Sequence, residues 1–387
     1  MSHNAICGAI GRRRERARTT PVAVPTLAAA VAWLLTCSPV AAGSRIIVHA
    51  GESIQAAVDA ATPGTTIVVK PGVYQEAGAI RAVTITKPEI RLIGAPSKGQ
   101  PVVLQQSGTQ THGIWVSPAD STDPADPELP PCGALSEFVR GFTLSGFTVQ
   151  GFPGFGVYLT CVDDFVIRHN VATDNLTYAI FPVRSSHGHM AFNTVSGSKN
   201  DACLYVGQDD TIRVNNNSAT DCVIGYEIEN SHHVRMVRNA STGNTAGMLI
   251  DIVGDRQVTS ISDNVVAGNV FDNNNRPNDA SPDNDTSQIV PGIGIILEGA
   301  DSTFIARNQL SNNSLAGITL VDPCIVDPGF CTPPIDFDPN PDFNRVVRNT
   351  FVGNNTDVIY LPGGGQGNCF AKNHPTTLTG GQLPVCR

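Results

Sequence analysis

Three acidic side chains recur at one position of a repeated apolar segment, and a fourth lies two residues before the first of them. Glu227 and Glu229 share one segment, and Asp251 and Glu298 occupy the position of Glu229 in later ones. If equivalent residues stack at the roughly 4.8 Å spacing of neighbouring strands, each ionised pair costs roughly 3 kcal/mol at an effective dielectric of 20. Such a stack needs a bound cation, a raised pKa or nearby bases.

These carboxylates support two kinds of chemistry. Oxygen ligands suit calcium, with Glu229, Asp251 and Glu298 as candidate ligands. Paired carboxyl groups also act as general acid and base, which makes Glu227, Glu229 and Asp251 candidate catalytic residues. The alternative is a solvated acidic face whose exposed side chains splay apart.

A second column lies in the turn after each segment, where Asp164, His187, Asp210 and His233 alternate. Such a stack binds a transition metal or pairs each imidazole with a carboxylate for proton transfer. Asp and His also tolerate tight-turn backbones, which is the alternative. The candidate substrate-binding residues are Phe181, His187, Asp201, Gln208 and His233.

Arg184 ends one of these segments and is the fourth candidate catalytic residue. It would bind a uronate carboxylate or act as a base. The alternative is an ion pair with Asp163 or Asp209.

An internal repeat must position these residues. A Gly or Ala precedes each apolar segment at a spacing of 22 to 23 residues, and an Asn follows 14 residues later in most repeats. A period of this length with alternating apolar residues indicates a β-solenoid, in which stacked asparagines form a hydrogen-bonded ladder. The predicted ladder is Asn170, Asn193, Asn216, Asn239, Asn264, Asn308 and Asn349.

Within each segment, alternation predicts which side chains point inward. The predicted inward pairs include Val157/Leu159, Ile180/Pro182, Cys203/Tyr205, Tyr226/Ile228 and Met248/Ile250. The predicted outward residues include Phe181, Val183, Leu204, Val206 and the acidic column. The outward apolar patch is a candidate binding platform or interface.

The segment "GESIQAAVDAATPGTTIVVKPGVY" resembles the beginning of right-handed parallel β-helix proteins of the pectate-lyase-like class, with a helix from Ser53 as an N-terminal cap. The runs "VGQDDTIRVNNN" and "NTAGMLIDI" resemble the bacterial parallel β-helix repeat family. The resemblance covers about residues 46 to 361. It implies an all-β, right-handed parallel β-helix of nine to eleven coils, and a class that often places calcium and catalytic groups on this strand face.

Enzyme motifs of that class are incomplete here. "GQDD" at 207–210 is similar to the paired aspartates of polygalacturonases, but "HG" precedes it and no later Arg-x-Lys follows. The Asp-Pro-His-Asp motif of alginate epimerases is absent. The resemblance therefore implies the fold more firmly than any named activity.

Residues 1–42 have the build of a secretory signal, with arginines, an apolar stretch and small residues up to Ala42. The apolar stretch is too short to span a bilayer. Cleavage there changes the net charge from -9 to -13, which argues against nucleic-acid binding. Lipidation of Cys37 is an alternative. We expect a secreted, periplasmic or cell-surface monomer.

Eight cysteines follow the predicted signal, an even number that suits disulfides in an oxidising compartment. Cys324 with Cys331 and Cys369 with Cys386 are the pairs that local spacing favours. The predicted β-helix spans 43–361, with insertions at 117–137, 272–291 and 322–343 and a tail at 362–387. Two insertions follow acidic-column strands and one precedes such a strand, so we expect them to wall a groove.

The sequence therefore predicts a protein that binds an extended uronate-type polysaccharide along the acidic strand face, and leaves open whether it cleaves or epimerises it. In a lyase or epimerase, carboxylates bind Ca²⁺ while Arg184 or a histidine abstracts a proton. In a glycoside hydrolase, Glu227 or Glu229 acts with Asp251. The alternative is a non-catalytic scaffold or metal-handling β-helix, as in periplasmic β-helix proteins linked to copper enzyme maturation.

Overall fold

The computed structural model describes residues 43–118, 132–133, 137–326, 331, 335–361, 365–374, 378–379 and 383–386. Short strands wind through three parallel sheets, each strand pairing with its equivalent in the next coil. The parallel β-helix predicted from the repeat is confirmed. The predicted signal, Cys37 and most of the 117–137 insertion lie outside the described residues.

Sheet 1 has eleven strands. They are β4 (Arg81–Ile85), β7 (His112–Val116), β11 (Phe155–Thr160), β15 (Tyr178–Val183), β18 (Ala202–Gly207), β21 (Ile224–Glu229), β24 (Ala246–Asp251), β27 (Ile293–Glu298), β30 (Ala316–Val321), β33 (Thr356–Tyr360) and β35 (Leu378–Thr379).

Sheet 2 has twelve strands, most of them three residues long. They are β1 (Arg45–Val48), β2 (Thr66–Val69), β5 (Arg91–Gly94), β9 (Thr143–Ser145), β13 (Val166–Arg168), β16 (His189–Ala191), β19 (Arg213–Asn215), β22 (Arg235–Val237), β25 (Val265–Ala267), β28 (Phe304–Ala306), β31 (Arg345–Val347) and β34 (Cys369–Ala371).

Sheet 3 has ten strands. They are β3 (Gly72–Tyr74), β6 (Val102–Gln105), β10 (Thr148–Gln150), β14 (Val171–Thr173), β17 (Thr194–Ser196), β20 (Ser218–Thr220), β23 (Ala240–Thr242), β26 (Val270–Asp272), β29 (Gln309–Ser311) and β32 (Thr350–Val352). A separate pair joins β8 (Val139–Arg140) to β12 (Val162–Asp163).

Helical structure is sparse. Helix α1 (Ile54–Ala60) begins where the sequence predicts, because the Ser53 hydroxyl accepts a hydrogen bond from the Ala56 amide as an N-cap. Its Ile54, Ala57 and Val58 side chains are buried; its role as a cap stays a prediction. The other helical pieces are α2 (Pro323–Val326) and a 3₁₀ turn at Asp285–Gln288. No helix among the described residues has the length and apolar character of a membrane span.

The core runs along the coil axis and is filled by inward residues of all three sheets. The predicted inward residues of β11, β21 and β24 are buried there, as alternation requires. In β18 the predicted inward residue Cys203 is buried in the core, but the prediction is wrong for the three residues that follow it. Ile180 pairs with Leu204 and Val183 with Gly207, so this coil contains one extra residue. A one-residue shift exchanges the two faces of a strand, so Leu204 and Val206 point inward and Tyr205 outward.

An asparagine ladder joins the coils between sheets 2 and 3, but two of its predicted members are wrong. Asn217 takes the place of Asn216 because of the same extra residue, and Asn269 takes the place of Asn264. Asn264 instead accepts from the Val234 amide and donates to the Ser231 carbonyl. The continuous ladder is Asn170, Asn193, Asn217, Asn239, Asn269, Asn308, Asn349 and Asn373.

Four disulfides cross-link the described chain. Both predicted pairs, Cys324–Cys331 and Cys369–Cys386, are present. Two further bonds, Cys132–Cys161 and Cys203–Cys222, were not predicted, because spacing alone does not place their partners together.

Candidate functional site

The predicted acidic column forms two neighbouring rows on the outward face of sheet 1. The strand register aligns one row as Gly207, Glu229, Asp251 and Glu298. The row two residues earlier along the same strands is Tyr205, Glu227, Leu249 and Ile296. Three coils therefore bring their carboxyl groups onto one surface, as the repeat predicts.

These carboxyl groups are buried, although they face away from the core. Glu227, Glu229 and Asp251 are 4 %, 7 % and 8 % exposed. A second apolar cluster surrounds them, and Ala280 and Ile289 of the long segment after β26 pack onto it. The solvated acidic face, weighed as an alternative, is not what the structure contains.

Asp201, Glu227, Glu229 and Asp251 form a carboxyl cluster whose members differ in their hydrogen bonds. One ligand oxygen from each of Glu227, Glu229 and Asp251 lies within 4.8 Å of the others. The Arg256 Nε donates to Glu229 Oε1 at 3.0 Å, while Asp201 accepts from the Tyr178 hydroxyl at 2.7 Å.

Two oxygens of the cluster lack a partner. Among the described residues, Glu227 Oε2 and Asp251 Oδ1 are buried without a hydrogen bond. The single positive charge of Arg256 is paired with Glu229 and cannot also neutralise both of these other carboxyl groups.

Burial changes the protonation of this cluster. Desolvation raises the pKa of Asp201 to about 7. Desolvation and the neighbouring Asp201 raise the pKa of Glu227 well above its usual range, and desolvation and Glu229 do the same for Asp251. Desolvation also raises the pKa of Glu298 to about 7. Near neutral pH, part of this cluster is therefore protonated and can donate protons.

Aromatic rings continue the same face toward the N-terminal coils. Phe181 lies between Tyr178, with ring centroids 4.2 Å apart, and Tyr205, at 4.6 Å. Phe155 lies 5.0 Å from Phe181 in an edge-on arrangement. Phe155, Tyr178 and Phe181 are only partly buried. Outward-facing Phe181 is thus part of an aromatic strip that ends at Tyr205, beside Glu227 in the same row.

The Asp and His column in the turn after sheet 1 forms separate pairs. His187 Nδ1 lies 2.8 Å from Asp163, and His233 Nδ1 lies 2.7 Å from Asp210. The hydrogen bond to Asp210 raises the pKa of His233. Among the described residues, neither histidine belongs to a set of three metal-ligating side chains within reach of one another.

Arg184 and Gln208 have other neighbours. Arg184 interacts with Tyr158 and with buried Asp209. The Gln208 side chain accepts from the Gln257 amide at 3.0 Å and so holds the segment that carries Arg256.

Sequence reasoning missed Arg256, Tyr178 and Tyr205. Arg256 lies in a short insertion after Gly247. The longer spacing from Gly247 to the next asparagine of the column indicates that insertion in the sequence. Tyr205 was assigned to the core because of the one-residue shift in β18. Tyr178 precedes the inward residues of β15 and carried no motif.

One family model matches residues 140–290, described as periplasmic copper-binding protein (NosD). This is less than half of the chain. A search of curated proteins finds no match. Among solved structures, the chain is similar to the mannuronan C-5 epimerase AlgE4 A-module of Azotobacter vinelandii, at 16 % identity and a TM-score of 0.60, covering 86 % of this chain and 92 % of that one.

Two other structures show the same fold. A double mutant of the periplasmic alginate epimerase AlgG matches at 14 % identity and a TM-score of 0.50, covering 85 % of this chain and 77 % of its own. The Dettilon tailspike protein matches at 12 % identity and a TM-score of 0.51, covering 87 % and 60 %. At these identities the likeness establishes the parallel β-helix fold alone.

Proposed function

We propose that the outward face of sheet 1 binds an extended polysaccharide and modifies it by acid–base chemistry. The observation that carries this proposal is the aromatic strip from Phe155 to Tyr205, which leads directly into the buried carboxyl cluster. Aromatic faces offer apolar contact to sugar rings, and carboxyl groups bind sugar hydroxyls and transfer protons. The similar epimerases act on polysaccharides, which supports this choice of substrate class.

The unequal environments of the carboxyl groups suggest their roles. Glu227 and Asp251, whose pKa burial raises well above the usual range, are the proton donors. Glu229, paired with Arg256, is the carboxylate that accepts a proton or stabilises positive charge. The spacing within 4.8 Å is shorter than the roughly 6.5–9.5 Å of inverting glycosidases. It therefore favours a retaining hydrolase, a lyase or an epimerase over an inverting hydrolase.

Access would run along the partly exposed margin of the cluster. Arg256 keeps 38 % of its side chain exposed, and Tyr178, Phe181 and Glu298 are partly exposed. A uronate carboxylate would find its counter-charge at Arg256 and hydrogen-bond donors in the protonated acids. Arg184 and Gln208, in the turns after β15 and β18, would contribute further polar contacts to the polysaccharide. An exported protein with four disulfides fits a periplasmic or extracellular substrate.

Replacing the proposed acid–base groups tests this function. We expect the wild-type protein to convert at least one member of a panel of uronate and neutral polysaccharides, followed by unsaturated-product absorbance and reducing ends. Glu227→Gln and Glu229→Gln should each lower kcat by about 10²–10⁴-fold, as loss of a general acid or base does. Asp174→Asn, at an exposed turn, is the matched control and should retain full activity. Equal activity in all variants would refute the assignment.

A second candidate function is binding of a divalent cation by the same cluster. Glu227 Oε2 and Asp251 Oδ1 lack hydrogen-bond partners among the described residues, and both residues belong to the group of three whose carboxyl oxygens could hold one ion. The donors are all oxygens, which suits calcium. Copper fits poorly, because its usual ligands are imidazole and thiolate. The other three-residue group in the described chain contains Cys324 and Cys331, which are bonded to each other.

Calcium-dependent stability separates the two candidates. If the cluster binds calcium, CaCl₂ at a hundredfold over its Kd should stabilise the protein by about 2.7 kcal/mol. Asp251→Asn should remove most of that gain, and Asp174→Asn should leave it intact. An unfolding curve that calcium does not move in the wild type would exclude the cation site while leaving the acid–base proposal standing.

A further inference from the structure

Basic residues occupy one turn of this β-helix and acidic residues another, although the two turns share one backbone conformation. From β16 onward, the turn that follows each sheet 2 strand begins with one residue at positive φ, and a ladder asparagine comes next. The residues at this first position are Phe192, Asn216, Arg238, Gly268, Arg307, Arg348 and Lys372. The turn between sheets 3 and 1 has the same conformation but is occupied by Asp174, Gly197, Asp221, Gly243, Asn273, Asn312 and Gly353.

The left-handed backbone alone does not explain the arginines. Glycine, asparagine and aspartate suit positive φ, and the second turn uses only these. Arginine has a β-carbon and no short polar group to compensate, yet Arg238, Arg307 and Arg348 adopt φ of 58°, 55° and 58°. An unfavourable residue type that recurs at equivalent positions points to a role outside folding.

The adjoining sheet extends this positive charge. Arg213 and Arg235 are neighbours on the outward row of sheet 2, beside His189, and Arg345 lies farther along the row. None of the twelve strands of sheet 2 contains an Asp or Glu. We call Arg213, Arg235, Arg238, Arg307, Arg345, Arg348 and Lys372 the basic ridge.

These cations are exposed and form no ion pairs with other described residues, although the Arg345 guanidinium lies over the Phe304 ring with 6.0 Å to its centroid. All seven are exposed. None of them forms a salt bridge within the described part of the chain. The whole chain has a net charge of -9, so this local excess runs against the composition. Unpaired arginines in register, about 4.8 Å apart per coil, present a linear positive surface.

The surroundings of the ridge favour a sugar polymer among the possible polyanions. Phe192 is 52 % exposed and stacks on His169 of the preceding coil, with centroids 5.0 Å apart and planes within 6°. A shallow groove beside it also includes Thr194, Ser218 and Arg238. Aromatic faces and hydroxyl groups in line with cations match the ring faces, hydroxyls and carboxylates of a uronate chain.

We propose that the basic ridge is a second glycan-binding surface, which holds an anionic linear polysaccharide parallel to the coil axis. Choosing a glycan over a nucleic acid rests on the proposed function; the binding of a polyanion rests on the ridge itself. A two-residue turn whose second residue is a buried ladder asparagine forms a narrow edge, which suits a linear polymer better than a flat membrane surface.

Removal of two ridge charges tests the proposal. In Arg307→Asn/Arg348→Asn, asparagine suits the left-handed backbone, as Asn216 does in the same turn, so folding should be retained. The matched control is Arg140→Asn/Lys199→Asn, which removes the same charge at partly exposed positions outside the turn between sheets 2 and 3. Binding of the full-length protein to immobilised alginate and polygalacturonate should weaken at least fivefold in the ridge variant and less than twofold in the control. Wild-type affinity should fall as NaCl is raised.

The outcomes distinguish the ridge from the acid–base site. Equal binding by the ridge variant and the control overturns the proposal, as does binding to single-stranded DNA or phosphatidylglycerol vesicles without binding to either glycan. If the ridge variant binds weakly while no glycan is ever converted, the ridge stands and the proposed function fails. If a glycan is converted in a Glu229-dependent way while the ridge variant binds like the wild type, the proposed function stands and the ridge proposal fails.

Discussion

The folded protein should lose stability as the pH rises from about 4 to about 8. Burial raises the pKa of Asp201 from 3.8 to about 7, so folding favours its protonated form. That contribution is fully present below about pH 4, where both states are protonated, and is lost as the pH rises through the folded pKa. At 1.36 kcal/mol per unit, Asp201 alone lowers the free energy of unfolding by about 4 kcal/mol above pH 7. Glu227 and Asp251 act in the same direction.

Asp201→Asn should flatten this dependence. The amide oxygen of asparagine can still accept from the Ala202 amide, and its NH₂ group takes the place of the second carboxyl oxygen and can donate to the Tyr178 hydroxyl oxygen, so the contacts of the protonated acid are largely retained. We expect the variant to match the wild type within about 1 kcal/mol near pH 5 and to exceed it by about 2–4 kcal/mol near pH 8. Urea unfolding at both pH values measures the difference. Asp164→Asn, at an exposed turn, is the control and should run parallel to the wild type.

If the free energy of unfolding of Asp201→Asn changes with pH as that of the wild type does, the carboxyl cluster is ionised in the folded state. Its compensation would then have to come from a bound cation, because Arg256 supplies a single positive charge. The stability profile therefore bears on the proposed chemistry as well as on folding. A cluster that stays protonated near neutral pH provides proton donors, whereas a cluster of carboxylates provides metal ligands.

The fold was predictable from the repeat because each coil must bury the same apolar positions against its neighbours. Periodicity does not reveal a single inserted residue, however. The extra residue between β15 and β18 reversed the assignment of Leu204, Tyr205 and Val206 and moved the ladder from Asn216 to Asn217. Since side chains alternate with a period of two, one residue changes every orientation in that strand.

The acidic column was also predictable, but its environment was not. The strand positions of Glu229 and Asp251 follow from the repeat, whereas their burial depends on the segments after β24 and β26. Those segments have no apolar period that would indicate where they pack. Arg256, Ala280 and Ile289 reach the cluster from them, and the coil that carries Asp251 is lengthened by both.

The largest effect on folding is expected where the structure corrected the ladder. Asn269→Ala should lower the free energy of unfolding by about 3–6 kcal/mol, because several buried polar groups lose their partners at about 1–3 kcal/mol each. Asn269 is 1 % exposed and accepts from the Asn239 amide and side chain at 2.8 and 3.1 Å. It also donates to the Met236 carbonyl and to Asn308 Oδ1, both at 3.0 Å.

Asn216→Gly provides the contrast, because sequence spacing assigns this residue to the same ladder. Asn216 is partly exposed at a φ of 56°, a conformation that glycine adopts freely and that Gly268 supplies in the same turn two coils later. The hydrogen bond from its backbone amide to the Val237 carbonyl would be unchanged. Urea unfolding should therefore show a loss of less than about 1 kcal/mol. Similar losses for Asn216→Gly and Asn269→Ala would contradict the corrected ladder, since the difference follows from burial and side-chain bonding at the two positions.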